Sequence, residues 1–384
     1  MPFLKRHFEQ AFQALLKQFP AVCILGPRQC GKTTFAKLAL QNWQYFDLEK
    51  PSHLAQIQND VESFLDRHPE KIIFDEAHLL PSLFPVLRGK IDEERKKNGR
   101  FVLLGSASPT LIRNISETLA GRIGFLDMTP FHINEVGDLS KLWIRGGYPD
   151  AYLQNDDRRR FEWFEAYTRT FIERDLNLYG VDIQPSVMRK LMAMLGHVHG
   201  GLLNLSELGN SLGINYHTIS RYLDILEQTF LIRRLSPFFT NIGKRLVKSP
   251  KVYIRDTGLL HYFLGIKNEE ELSVHPKRGA GFEGFVIEQL IEWINLIQPG
   301  TQCFFWRTAT KQETDFLIQF GKDKIPVEIK TQKAIQRSDV KEIFLCMKDL
   351  DLKKGYVVYP FEKNYSLGDG VEVLSLSTLL KKLT

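Results

Sequence analysis

The chain has 384 residues, of which 51 are Lys or Arg, 45 are Asp or Glu and four are Cys. This composition, 43% hydrophobic and 25% charged, is typical of a globular protein of about two to four domains; it excludes collagen, low-complexity disorder and a disulfide-stapled miniprotein. No apolar run approaches the ~18 residues of a membrane-spanning helix, and the start MPFLKRHFEQ lacks the apolar core of a signal peptide. Because the cysteines form no CxxC pair, we expect free thiols in a cytoplasmic protein without a membrane partner.

The pattern of apolar residues along the chain predicts four successive domains. The first alternates short apolar runs with helical patterns, which indicates an α/β domain on a parallel sheet with buried strands at 21–25, 71–74 and 101–104. A helical lid or connector follows, then a small helical module, then a second α/β domain. The expected boundaries are 1–137, 138–185, 186–240 and 241–384.

A phosphate-binding loop is predicted directly after the first strand. The run GPRQCGKT at 26–33 matches GxxxxGK[ST] in full, and a helix expected over 32–40 begins inside it. Its glycines allow backbone N–H groups to turn toward phosphate oxygens, and the helix N-terminus adds a positive dipole end. Lys32 is expected to reach the β- and γ-phosphates of ATP, and the Thr33 hydroxyl to bind Mg²⁺. The expected nucleotide-binding residues are Gly26, Pro27, Arg28, Gln29, Cys30, Gly31, Lys32, Thr33, Thr34 and Asp75.

Two acids at the end of the second strand complete this predicted site. Asp75 is expected to bind the Mg²⁺ together with Thr33, and Glu76 to orient and polarise the attacking water. The third strand is followed by the polar run GSAS, where Ser106 is the candidate for a side chain between the metal-bound acids and the water.

The order of these motifs resembles the prokaryotic AAA+ ATPases that carry a C-terminal domain of unknown function. Further matching segments are DEAH at 75–78, LAGR at 119–122, GGYP at 146–149 and YIRDTGL at 253–259. The resemblance implies a P-loop AAA+ domain that hydrolyses ATP at a subunit interface of a homo-oligomer, such as a hexamer. It places Arg122 as an arginine finger acting on a neighbouring protomer, with Arg113 as a second candidate; either arginine can instead pair with surface acids.

The small helical module predicts a winged helix-turn-helix. Ser206 can cap a first helix, Gly213 suits the turn, Asn215 can cap a second helix, and 231–239 supplies a strand-like wing. In the DNA-binding form of this motif the second helix enters the major groove and the wing contacts phosphates. The residues expected at the groove are Asn215, Tyr216, His217, Thr218, Ser220 and Arg221; those expected at phosphates are Arg233, Arg234, Lys244, Arg245 and Lys248.

Charge along the chain is compatible with this DNA-binding interpretation. Residues 228–255 hold seven Lys or Arg and no acid, and a cluster of bases in a folded domain favours a phosphate backbone as partner. A like-charged segment is also compatible with a solvated face, and winged helices also serve as packing modules.

The last domain contains the residue order of a nuclease core. Glu283 lies in a predicted helix at 281–294, Asp315 begins a predicted strand, and strand alternation places Glu328 and Lys330 on one face of the next. The order resembles the PD-(D/E)XK nucleases, the fold that the AAA+ resemblance also implies here. Such a site would use Asp315 and Glu328 as Mg²⁺ ligands, with Lys330 positioning a water and Glu283 acting through the metal or its hydration shell.

Three functions are compatible with these patterns. The leading interpretation is an oligomeric, Mg²⁺-dependent ATPase that binds DNA and remodels branched or broken duplexes. The alternatives are an ATP-driven signalling or scaffold protein whose C-terminal domains bind protein, and an ATP-gated, metal-dependent nuclease. The absence of a second motor domain argues against a two-lobed helicase, although the DEAH run occurs in that class.

Overall fold

The computed structural model describes residues 4–106, 109–176, 184–238 and 249–384. The chain divides into two compact units. The first unit is built mainly from Met1–Phe131, with short contributions from Asp175–Val181 and Gln228–Phe230. The second unit contains His132–Arg174, Asp182–Glu227 and Leu231–Thr384.

The first unit contains a parallel five-stranded sheet, as the sequence predicts. Its strands are β1 (Ala21–Leu25), β2 (Gln44–Asp47), β3 (Ile72–Asp75), β4 (Phe101–Gly105) and β5 (Ile123–Asp127). Their order in the sheet is β2-β3-β4-β1-β5, so β4 separates the strand before the phosphate-binding loop from the strand that ends in Asp75. Since all five strands are parallel, their carboxyl ends lie at one edge of the sheet.

Helices cover this sheet and bury its apolar side chains. They are α1 (Glu9–Gln18), α2 (Lys32–Ala39), α3 (Pro51–Gln58), α4 (Val61–Arg67), α5 (Leu83–Glu93) and α6 (Pro109–Thr118). One face of the sheet contributes Phe74 and Phe101 to a core that also contains Phe64 of α4 and Leu87 of α5. β1, β3 and β4 are buried along their whole length, which explains why their sequences are unbroken apolar runs.

The second unit begins with helices and a two-stranded ribbon. The helices are α7 (Ile133–Val136), α8 (Leu139–Arg145), α9 (Pro149–Tyr152), α10 (Asp157–Thr170), α11 (Pro185–Val198), α12 (Leu205–Leu212) and α13 (Tyr216–Gln228). α12 and α13 are joined by a short turn at Gly213. The strands β6 (Ile232–Leu235) and β7 (Lys251–Ile254) then pair in antiparallel register.

A six-stranded mixed sheet forms the rest of the second unit. The strands are β8 (Gln302–Arg307), β9 (Glu313–Phe320), β10 (Asp323–Ile329), β11 (Gly355–Tyr359), β12 (Tyr365–Gly368) and β13 (Val371–Ser375), in the order β12-β13-β11-β10-β9-β8. The accompanying helices are α14 (Thr257–Leu264), α15 (Glu269–Val274), α16 (Arg278–Ile297), α17 (Lys341–Asp349) and α18 (Leu376–Leu383). Ile343 and Met347 of α17 share a core with Val357 of β11 and Val373 of β13.

None of the helices in the described ranges has the length and apolar character needed to cross a membrane.

Candidate functional site

The phosphate-binding loop joins β1 to α2, and two glycines determine its shape. Gly31, which caps α2, has φ 97°, a left-handed conformation that strongly favours glycine. A Cβ on Gly26 would lie 2.1 Å from the carbonyl oxygen of Met128, so the backbone that follows β5 leaves no room for a side chain there. The N-terminus of α2 therefore opens at the carboxyl edge of the sheet, a position suited to an anion.

Lys32 crosses this loop with a buried side chain. Its ammonium donates hydrogen bonds to the carbonyl oxygens of Gly26 and Pro27, at 3.0 and 2.8 Å. Only 7% of Lys32 is exposed, so a phosphate entering the loop meets a desolvated positive charge held in place by backbone.

Thr33 and Asp75 meet at the same edge of the sheet. The Thr33 hydroxyl donates to Asp75 Oδ2 at 2.6 Å, and the Tyr45 hydroxyl donates to the same oxygen at 2.7 Å. A hydroxyl and a carboxylate at this separation are the hard oxygen ligands that Mg²⁺ takes beside a nucleotide, so the residues present fit the metal. Burial and the hydrogen bond to Asp75 raise the pKa of Tyr45, which stays a neutral donor.

Glu76 occupies a constrained position next to Asp75. Its backbone is left-handed, with φ 50° and ψ 47°, a conformation that costs a non-glycine residue about 1 kcal/mol or more. Burial opposes ionisation of the carboxyl group, but His78, whose Nδ1 lies 3.3 Å from Glu76 Oε2, and Lys32 outweigh it and lower the pKa of Glu76. Glu76 is therefore a half-buried carboxylate at neutral pH, as a water-orienting base requires.

The structure places the other predicted ATPase residues differently. Ser106 follows β4 directly, and the pairing of Phe74 with Leu103 brings the end of β4 beside the end of β3. Arg122 instead forms a two-pronged ion pair with Asp92, with both distances 2.8 Å. The exposed Arg113 pairs with Glu117 on α6 at 3.1 Å. Within the described chain neither arginine reaches the phosphate-binding loop, and the arginine-finger role of Arg122 stays a prediction.

Sequence reasoning missed Arg6, whose side chain donates hydrogen bonds to the backbone of the phosphate-binding loop and of the segment after β5. The buried guanidinium donates to the carbonyl oxygen of Cys30 in the loop at 3.0 Å. It also donates to the carbonyl oxygens of Thr129 and Pro130, at 2.7 and 3.1 Å. A single arginine before the first helix carries no motif, so nothing in the local sequence identifies this role.

We expect Arg6→Ala to destabilise the first unit by about 1–3 kcal/mol and to raise the KM for ATP, because it leaves buried carbonyls without donors and frees the loop. Urea unfolding and steady-state ATP hydrolysis measure the two effects. Lys5→Ala is the matched control, since Lys5 is exposed and pairs only with the exposed Glu9 among the contacts described. Equal behaviour of the two variants would contradict this role.

Two helices joined by a short turn, α12 and α13, occupy the segment of the predicted winged helix-turn-helix. Gly213 has φ 69°, and Asn215 caps α13 by accepting a hydrogen bond from the Thr218 backbone N–H at 2.9 Å. Asn204 rather than Ser206 caps α12, because its side chain accepts from the Glu207 backbone N–H. Of the residues expected at a DNA groove, the structure exposes Asn215, Tyr216, His217 and Arg221 and half-buries Thr218 and Ser220.

The prediction that Arg233 and Arg234 contact DNA phosphates does not agree with their surroundings. Arg233 forms an ion pair with the buried carboxylate of Glu288, which also accepts from Arg255 at 2.9 Å. The Arg234 guanidinium binds Glu227, with Nε at 2.7 Å. Acids from α13 and α16 therefore neutralise these side chains, and we remove them from the DNA surface. The other bases predicted there, Lys244, Arg245 and Lys248, lie outside the described residues.

The predicted nuclease residues converge in the second unit. Glu328 Oε1 accepts from the Lys330 ammonium at 2.7 Å, and Asp315 Oδ2 accepts from the Ile329 backbone N–H at 2.8 Å. Glu328 Oε2 is buried and has no hydrogen-bond donor in the described structure. Burial and the Asp315 charge raise the pKa of Glu283 to about 7 and that of Glu328 to about 8.

Sequence reasoning missed the residues that β7 adds to this centre. Lys251 Nζ lies 2.9 Å from Glu283 Oε1 and 2.6 Å from Glu313 Oε1, and the Tyr253 hydroxyl donates to Glu283 Oε1 at 2.6 Å. Both side chains point from the same face of β7, as alternation along a strand requires. We define the carboxylate centre as this group: Lys251, Tyr253, Glu283, Glu313, Asp315, Glu328 and Lys330.

Comparison with known proteins identifies the parts of the chain. Residues 18–137 match the model of an AAA domain, which confirms the predicted ATPase domain. Residues 136–270 and 278–379 match two domains of unknown function, DUF8612 and DUF4143. The five-stranded parallel sheet with its loop after β1 is the fold of a P-loop ATPase.

Relatives cover most of the chain. The uncharacterized proteins Rv2008c of Mycobacterium tuberculosis and Mb2031c of Mycobacterium bovis are each 38% identical over 371 residues, covering 95% of this chain and 82% of theirs. Among solved structures, the Walker-type ATPase PABY2304 of Pyrococcus abyssi has a TM-score of 0.47 and 14% identity, covering 68% of this chain and 96% of that one. The RuvB Holliday junction branch migration motor of Thermotoga maritima has a TM-score of 0.32 and 18% identity, with 60% and 90% covered.

Proposed function

Because this chain belongs to one family with the two Mycobacterium proteins and begins with an AAA domain, we propose that it is a Mg²⁺-dependent ATPase that binds DNA. The observation that supports hydrolysis most directly is the meeting of Lys32, Thr33 and Asp75 at one sheet edge, with the ionised Glu76 beside them. Thr33 and Asp75 would hold Mg²⁺, which would offset the charge of the ATP γ-phosphoryl group.

The chain's own residues then act on the attacking water. Lys32 places a buried positive charge against the phosphate oxygens, and Glu76 accepts a hydrogen bond from the water and aligns it with the γ-phosphorus. Ser106, at the end of the neighbouring strand, is the polar residue that would lie between the metal-bound acids and the attacking water. In a homo-oligomer, Arg122 would serve a neighbouring nucleotide only after leaving Asp92, so the arginine-finger contact and this ion pair exclude each other.

The proposed DNA surface is the first turn of α13. Tyr216 is 51% exposed, and His217 and Arg221 lie one helical turn apart on the same face. The N-terminal residues of the second helix are the ones that read base edges in a helix-turn-helix complex. With Arg233 and Arg234 paired to acids, this exposed turn is the surface that we propose to contact DNA.

Replacing both His217 and Arg221 by alanine is expected to weaken duplex binding at least tenfold, since a good bidentate contact to a base edge contributes about 1–3 kcal/mol. Fluorescence anisotropy at several salt concentrations measures the affinity and its salt dependence. Arg158→Ala is the matched control, because Arg158 is an exposed base of the same unit that pairs with Glu162. An unchanged affinity in the double variant would remove α13 from the DNA surface.

A second candidate function is an ATP-driven switch whose second unit binds protein. The observation that favours it is the internal neutralisation of Arg233 and Arg255 by Glu288, which withdraws the charge of these two arginines from a DNA phosphate. Steady-state ATP hydrolysis titrated with duplex and four-way junction DNA at low salt separates the two. Stimulation supports the DNA-dependent ATPase, and hydrolysis indifferent to every DNA supports the protein-binding switch.

A further inference from the structure

The carboxylate centre contains a cation supplied by the chain itself. Lys251 is 3% exposed, and its ammonium contacts carboxylates from two separate elements, Glu283 of α16 and Glu313 of β9. Tyr253, two residues further along β7, is fully buried and donates to the oxygen of Glu283 that Lys251 contacts. Strand β7 thus inserts a positive charge and a hydroxyl donor between the acids.

We propose that the Lys251 ammonium is the built-in counter-ion of the carboxylate centre, so that the centre takes no divalent metal and does not cut nucleic acid by a metal-dependent route. In a PD-(D/E)XK-like arrangement the acids gather around a divalent cation. Here two of the four acids, Glu283 and Glu313, contact a lysine of β7. The inference is independent of the proposed ATPase, whose Mg²⁺ residues, Thr33 and Asp75, lie in the first unit.

Each acid of the centre already has a partner from this chain. The pairs are Glu283 with Lys251 and Tyr253, Glu313 with Lys251 and Arg307, Asp315 with the Ile329 backbone N–H, and Glu328 with Lys330. Lys251, Arg307 and Lys330 supply three positive charges to four acids. A divalent cation would add to this positive charge, because the Lys251 ammonium is buried between two of the acids and cannot turn away to solvent.

Several oxygens that a metal would use are already occupied. Mg²⁺ in proteins is usually bound by one or two carboxylates and several waters, in near-octahedral geometry at roughly 2.0–2.1 Å. Among the described residues no group of three or more His, Cys, Asp or Glu side chains is arranged to hold a metal ion. Glu283 Oε1 already accepts from Lys251 and Tyr253, and the two Glu313 oxygens contact Lys251 and Arg307, so these ligand atoms are occupied by the chain's own donors. The residues present therefore do not fit the metal that a nuclease core uses.

The test measures Mn²⁺ binding to the full chain by electron paramagnetic resonance, without nucleotide so that the phosphate-binding loop takes no metal. We expect the wild-type protein not to bind Mn²⁺ at sub-millimolar concentrations. Lys251→Met removes the charge and keeps the length, and is expected to bind about one Mn²⁺ per chain. Adding Asp315→Asn to that variant should abolish the binding. Lys251→Arg, which keeps the charge, should behave as wild type.

Two results would overturn the proposal. One is wild-type binding of sub-millimolar Mn²⁺ that Asp315→Asn removes; this result needs no Lys251 variant to fold. The other is a Lys251→Met variant with native circular dichroism that still binds no Mn²⁺. ATP hydrolysis measured with Mg²⁺ on the same preparations reports on the ATPase separately. Loss of hydrolysis with the expected Mn²⁺ pattern therefore contradicts the proposed function and not this inference.

Discussion

Replacing Glu76 by glutamine is expected to lower the rate of ATP hydrolysis by about 100-fold or more while leaving ATP binding nearly unchanged. A positioned general base contributes roughly 10²–10⁴-fold to a rate, and a neutral amide cannot serve as one. The groups proposed to hold ATP and Mg²⁺, Lys32, Thr33 and Asp75, keep their contacts in this variant. Coupled-assay kinetics give the rate, and titration with a fluorescent ATP analogue gives the affinity.

The surroundings of Glu76 explain why the effect should be large. Its pKa is lowered, so the carboxylate is charged at neutral pH, and its left-handed backbone and contact with His78 fix its direction. Glu62→Gln is the matched control, because Glu62 is an acid of the same unit with a side chain 72% exposed, and its carboxylate lies 3.9 Å from the Lys90 ammonium. We expect it to keep wild-type turnover within about twofold. Wild-type turnover in Glu76→Gln would show that another group directs the water.

The strands of the first unit show what the sequence alone can predict. β1, β3 and β4 are buried on both faces, so their apolar runs are continuous and visible. β2 lies at the edge of the sheet and is mostly half-buried, and β5 has two exposed positions, so neither has that pattern. Because the sequence pattern does not predict β2, it does not predict the role of Tyr45 either. The contact of Tyr45 with Asp75 depends on β2 lying beside β3.

Charge pairing was the least predictable feature of the second unit. Residues 228–255 contain no acid, which favours a basic surface when the segment is considered alone. The acids that neutralise Arg233 and Lys251 come from α16, and Glu288 is 55 residues from Arg233 along the chain. Turn chemistry is local and was predictable, as Gly213 and the Asn215 cap show. Ion pairing across the fold depends on packing, which spacing does not reveal.

Replacing Glu288 by glutamine is expected to destabilise the protein by about 3–5 kcal/mol, which makes it the most damaging to stability of the substitutions considered. Glu288 is 6% exposed and is shared by Arg233 and Arg255, so the change leaves two guanidinium groups without their buried counter-charge. Urea unfolding followed by circular dichroism measures the free energy. Glu372→Gln is the control: Glu372 pairs with Lys382 and both side chains are about two-fifths exposed, so we expect a change within about 1 kcal/mol.

The pH dependence of this difference tests its electrostatic origin. Burial alone would raise the pKa of Glu288, but the two arginines lower it below its ordinary value. A carboxyl group whose pKa is depressed on folding stabilises the fold above its unfolded pKa of about 4.3, and this stabilisation is lost as the pH falls through the folded value. The gap between wild type and Glu288→Gln should therefore be full at pH 7 and shrink in acid below the unfolded pKa. A gap independent of pH would mean that packing, not charge, holds the β6–β7 ribbon against α16.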